Sequence, residues 1–162
     1  DDHVAGRSAR TGVGMSDLYD TDFLQWTERQ TDLLRRMAAG ESVNEAPDWR
    51  NLAEEIESAG AREKREVRTR LRLIFHHLLR WCYQPDLRSK NWRDAIYFQR
   101  QALLDLFDDS PSLRPFAERV LSSAFTNGRQ AAAQETGALG IYDVCPWSFE
   151  QVISQGFLPD EP

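Results

Sequence analysis

The chain has 162 residues and a formal net charge of −6, a length that fits about one domain with a sizeable core and an acidic balance that argues against a dedicated duplex-DNA binder. It holds no apolar run of about 18 residues, which argues against a membrane span, and no h-region of a secretory leader. Its two cysteines, Cys82 and Cys145, form neither a dense disulfide scaffold nor a CxxC site, so a reducing compartment, the cytoplasm, is the expected location.

Residues 1–15 begin DDHVAGRSARTGVG, Gly and small polar residues with no regular period. They are expected to be a disordered extension, with Met15 as a candidate biological start; His3 lies within it. A single helical domain is expected over residues 16–159. In LYDTDFLQWTERQTDLLRRMAAG the apolar positions Phe23, Trp26, Leu33, Leu34 and Met37 fall at helical spacing, with Asp20 or Thr21 as N-cap and Gly40 as stop. After the loop ESVNEAP, Asp48 caps a helix running from Trp49 to Gln84. At 1.5 Å per residue that helix would span about 54 Å. Gly60 in its interior costs about 1 kcal/mol relative to alanine, which makes a split there the alternative; the expectation is one element, bent near Ala59 and Gly60.

Pro85 forces an exit, and Trp92, Ile96, Leu103, Leu106 and Phe107 mark the apolar face of a third helix. Ser110 and Pro111 read as the start of a fourth, which carries Leu113, Phe116, Val120, Leu121, Ala124, Phe125 and Ala132 down to Gly137. One short helix follows Cys145, with Pro146 near its start and Val152 and Ile153 turned inward. No segment reads as a strand. The expected fold is all-α and bundle-like, four main helices with one of them long and a short C-terminal helix, with Trp26, Ile56, Leu71, Leu78, Trp92, Leu103, Val120 and Phe125 in the core.

The long helix carries the residues of chemical interest. With Val67 as the centre of its apolar face, Trp49, Ile56, Leu71, Ile74 and Leu78 share that face and Cys82 lies at its edge. Glu63, Glu66, Arg70 and His77 line one shoulder, and His76 falls about 180 degrees from the centre, on the solvent face with Arg65, Arg72, Arg80 and Tyr83. Neighbouring positions point about 100 degrees apart, so the two histidines are not expected to act together.

Three chemistries can be drawn from these residues. His77 with Glu63 or Glu66 and Arg70 makes an acid–base set if a cleft holds them. His77, Glu63 and Glu66 are the metal alternative, although no Glu-x-x-His or His-x-x-x-His spacing occurs. The simpler reading is structural: Glu66 pairs with Arg70 one turn on, and His77 bonds to a polar group on another helix. Cys82 sits at the core edge, and Cys145 is a reactive thiol only if it faces the start of the last helix. No GxSxG, Gly-rich phosphate loop or HExxH is present, and no cofactor is implied. Arg62 to Arg72 holds six basic and two acidic residues. A stripe of Arg65, Arg68, Arg72 and Arg80 suits a protein partner or self-association better than nucleic acid, given the interleaved glutamates and the acidic whole.

The order LYDTDFLQWTERQTDLLR, NLAEEIESAGAREKREV, HHLLRWCYQPDLRSKNWRDAI, DDSPSLRP, AAAQETG and CPWSFEQVISQGFLP resembles the bacterial family catalogued as domain-of-unknown-function family 29, over about Leu18 to Pro159. The resemblance implies an all-helical domain without an established activity, cofactor or catalytic residue. It also implies that Asn51 to Glu57 and the region of His77, Trp81, Pro85 and Trp92 belong to the shared pattern. The expected role is a non-enzymatic interaction or regulatory module, with a small metal-dependent or His/carboxylate acid–base enzyme as the alternative.

Overall fold

The structure, a computed structural model, describes residues 15–137 and 140–160. Those residues form six α-helices and no strand: α1 Met15–Thr21, α2 Phe23–Ala38, α3 Trp49–Tyr83, α4 Lys90–Asp109, α5 Leu113–Thr136 and α6 Phe149–Ile153, with a 3-10 turn at Pro85–Leu87. The all-helical fold expected from periodicity is what forms. Of the expected disordered extension only Met15 is described, and it opens α1; the rest lies outside the described residues.

Helix ends follow local chemistry. The cap of α2 is Asp22, not Asp20 or Thr21: its carboxylate accepts the Gln25 N–H at 3.0 Å, while the residues before it are themselves helical. Gly40 takes φ +77° just past the end of α2, a left-handed turn that glycine adopts without strain. Ser89 caps α4 through the Trp92 N–H at 3.3 Å. Helix α5 starts at Leu113 instead of Pro111, because Leu113 first closes a turn onto the Ser110 carbonyl at 2.9 Å. It stops at Gly137, φ +63°. Ser148 and Gln151 form a reciprocal capping box on α6.

Helix α3 runs unbroken through Gly60 for 35 residues, about 52 Å at helical rise. It is one element, as expected, yet the chain falls into two compact units whose division lies between Ser58 and Ala59, inside this helix. In the first unit Leu18, Trp26 and Leu33 are buried. The start of α3 is fixed there by a polar knot: Trp26 Nε1 donates to Asp48 Oδ2 at 3.3 Å, the Asp48 N–H donates to Gln30 Oε1 at 2.9 Å, and Asn51 Nδ2 donates to Asp48 Oδ2 at 2.7 Å.

The half-buried side chains of α3 in this unit are Asn51, Leu52, Glu55 and Ser58, and Tyr19 on α1 donates its hydroxyl to Glu55 at 2.7 Å. The helix therefore turns a largely polar stripe toward its own chain. Trp49 and Ile56, expected on the packed face, are 58% and 73% exposed. The apolar period of α3 is continuous in sequence, but the hydrogen bonds of Asp48 and Glu55 set which side the unit covers.

The second unit has the main core. From α3 it takes Val67, Leu71, Ile74 and Leu78, as expected, and a second stripe of Phe75 and Leu79. Against them pack Ile96, Leu103 and Phe107 of α4, Leu113, Phe116, Ala117, Ala124, Phe125 and Ala132 of α5, and Ile141, Val152 and Ile153. Trp92 and Val120, expected in the core, are only half-buried. At Gly128 of α5 an added Cβ would stand 2.7 Å from Phe75 Cβ and 2.8 Å from the Arg72 carbonyl oxygen. The backbones of α5 and α3 approach that closely because glycine has no side chain.

Candidate functional site

The polar residues of interest stand where α3 emerges from this core. His76, expected on the solvent face, has a side chain only 14% exposed. The second buried stripe is the cause: α5 covers the Phe75–Leu79 side of α3, so little of its circumference in this stretch remains for solvent. Nε2 of His76 lies 2.8 Å from Glu135 Oε2, and Arg80 Nη1 lies 2.8 Å from Glu135 Oε1. One carboxylate of α5 thus clamps two side chains of α3 a turn apart. The Arg80 guanidinium also covers the Trp92 ring of α4 at 4.1 Å from its centroid, an attractive cation–π arrangement.

Burial holds His76 below the ordinary histidine range, outweighing the upward pull of Glu135. The pair is therefore a neutral imidazole donating from Nε2 to a carboxylate, and the true ion pair is Arg80 with Glu135. That assignment leaves His76 Nδ1 an acceptor, buried and without a partner among the described residues. His77 is shifted further, down to about 4, by burial first and then by His76 and Arg80. Its Nδ1 is likewise buried and has no partner among the described residues. The expected bond from His77 to another helix is replaced by ring contact: the two imidazoles meet edge to face at 5.1 Å. Adjacent on the helix, they nonetheless touch.

The other shoulder residues do not converge on His77. Glu63 accepts from Ser110 Oγ at 3.1 Å, Glu66 pairs with Arg70 one turn on, and Arg70 Nη1 donates to Gln99 Oε1 of α4 at 2.8 Å. The glutamate–arginine pairing is the one the spacing indicates. Among the described residues no three His, Cys, Asp or Glu side chains come together in a way that would hold a metal ion. The basic stripe divides. Arg65 and Arg68 are exposed, with Arg68 over the Phe116 ring at 5.0 Å; Arg72 and Arg80 are half-buried, and Arg80 is committed to Glu135.

Cys82 is buried and bonds through its sulfur to the Asp160 carbonyl at 3.1 Å. The Cys145 thiol is pushed up by burial, the reverse of an activated thiolate. Two participants escaped the sequence reading. Glu135 lies in AAAQETG, where nothing local distinguishes it. Arg100 falls four after Ile96 and three before Leu103, a charge on the packing stripe of α4, and it is buried.

The described residues make an all-helical domain whose best-formed polar cluster is a clamp between α3 and α5. The family described as "Domain of unknown function DUF29" matches residues 18–158, and the chain belongs to that family. No curated protein and no solved structure matches it.

Proposed function

We propose that this domain is a non-enzymatic interaction module that docks an amphipathic helix of a partner protein on the outward row Trp49, Ala53 and Ile56. The observation that carries the reading is the inverted packing of α3 in the first unit, which covers the Asn51–Glu55–Ser58 stripe and leaves Trp49 and Ile56 exposed. Positions i, i+4 and i+7 are the spacing by which helices recognise one another in grooves and zippers. Exposed Glu54 and Glu57 flank the row, so the matching helix carries basic residues beside its apolar anchors. Two free thiols, Cys82 and Cys145, suit a reducing compartment, and the cytoplasm is the proposed setting. Among the described residues no helix is long and apolar enough to cross a membrane.

The test is site-specific photocrosslinking in the host, with the crosslinking residue placed at Ala53 or at Glu118, which is exposed on α5. A partner helix with basic flanks attached at Ala53 and absent at Glu118, and lost with Ile56→Asp, is the expected result. Equal labelling at both positions, or labelling that survives Ile56→Asp, overturns the reading. Crosslinks between two copies at Ala53 would make the occupant a second copy and overturn the choice of partner.

A further inference from the structure

Between α4 and the segment after α6, Gln155 to Leu158, lies a cleft of about 330 Å³, lined on the α4 side by Arg93, Ile96, Tyr97 and Arg100. That volume falls at the lower end of small-molecule sites, which combine apolar walls with a few placed polar groups. Ile96, Tyr97 and Leu158 supply the walls. The polar group of consequence is Arg100, 1% exposed.

Its guanidinium is held by carbonyls alone: Nε donates to Val152 O at 2.8 Å, Nη1 to Phe157 O at 2.8 Å and Nη2 to Gln151 O at 3.4 Å. No carboxylate among the described residues pairs with it, and Arg93, at the same cleft, lies over the Trp81 ring at 5.9 Å. Arginine is rarely this deeply buried unless a negative group accompanies it. Burial pulls Arg100 down to about 10, the sign of a cation without a counter-charge. Three N–H groups go to carbonyls, and the others make no hydrogen bond among the described residues.

The geometry points to a binding site for a small organic monocarboxylate, its carboxylate facing Arg100 and Arg93 and its apolar body against Ile96, Tyr97 and Leu158. The planar guanidinium fork matches a carboxylate or a phosphate. Asp94 decides between them: it stands in the cleft wall, paired at 2.5 Å with Lys90, and its charge penalises a doubly negative phosphate more than a singly negative carboxylate. The site rests on the cleft of the second unit and is independent of the outward row of α3.

A purely structural Arg100, tying down the end of α6, would need no ligand, and titration of the full chain separates the two. The probe is sodium benzoate, followed by backbone amide and arginine Nε–H NMR shifts, with benzyl alcohol and phenyl phosphate as comparators. Saturable shifts at Gln155, Gly156 and the Arg100 Nε–H are expected with benzoate, weaker ones with phenyl phosphate and none with benzyl alcohol. Arg93→Gln should weaken benzoate binding about tenfold, the loss of a charge-assisted hydrogen bond.

Gly156 has open space around its Cβ position, so Gly156→Trp should leave the helical circular dichroism intact and block the cleft. Arg100 variants risk releasing α6, which is why the test rests on these two. No saturable shift with benzoate, equal shifts with benzyl alcohol, tighter binding of phenyl phosphate, or benzoate binding unchanged in both variants would each overturn the site.

Discussion

His77 shows how one residue couples burial to pH. Its folded-state value of about 4 lies below the ordinary histidine value of 6.5, so between those limits the unfolded chain binds a proton that the folded chain refuses. Linkage then gives stability that is complete above about pH 6.5 and declines as pH falls toward about 4. His76 is displaced in the same direction, by burial, and adds to the rise with the same sign. Denaturant midpoints measured from pH 4 to 7 should therefore rise with pH, and His77→Leu should flatten the rise; parallel curves for the two proteins would contradict the assignment. Little of this was legible in the sequence. A helical wheel with one apolar face puts His76 in water, and only the arrival of α5 on the Phe75 side, a long-range event with no local signature, brings both rings under cover. Arg100 was more readable, as a charge spaced four and three from Ile96 and Leu103.

Helix α3 succeeds as a sequence reading in the half where the single apolar stripe meets the main core and fails in the half where hydrogen bonds outrank it. Leu78 belongs to the first half and is fully buried; Leu78→Ala should cost about 2 to 5 kcal/mol, the range for a buried leucine, readable as a lowered denaturation midpoint with unchanged slope. Trp49 and Ile56 belong to the second. Their apolar spacing is genuine, but Asp48, Gln30 and Trp26 fix the start of the helix, and Tyr19 binds Glu55, with the opposite side inward. Gly128 had a faint signal: it completes a line of small residues, Ala117, Ala124 and Ala132, on one face of α5. Since its Cβ position is occupied by Phe75 and the Arg72 carbonyl, Gly128→Ala should destabilise by about 1 to 3 kcal/mol, the usual cost of overpacking, against the gain alanine brings to an ordinary helix site. A neutral or stabilising outcome would show that the two helices can part without cost.

For the molecule as a whole, the helical class and the element order were legible because periodicity and capping are local, whereas the division into two units was not, because it depends on tertiary contacts that leave no local signature. The units differ in what holds them. The first rests on Leu18, Trp26, Leu33 and a knot of polar bonds, the second on the broad core around α3, α4 and α5. Calorimetry should accordingly give a transition in which the van't Hoff enthalpy falls short of the calorimetric one, with the indole N–H NMR signal of Trp26 lost at a lower temperature than the methyl signals of the core, since separable units break the all-or-none rule. Equal enthalpies and coincident probes would mean that the chain melts as one body.

The uninterrupted passage of α3 through Gly60 also sets a clock. From Ala59 to Arg65 every side chain is exposed, so the amide protons of these turns are shielded by little more than the helix's own ladder, weakened by a glycine. In deuterated water they should exchange well before those of Leu71 to Leu79, which need the core to open. The longest element of the protein would then be its fastest-opening one at the middle and its slowest near the C-terminal end. If the amides of Gly60 to Lys64 instead persist as long as those of Leu78, something covers this stretch in solution.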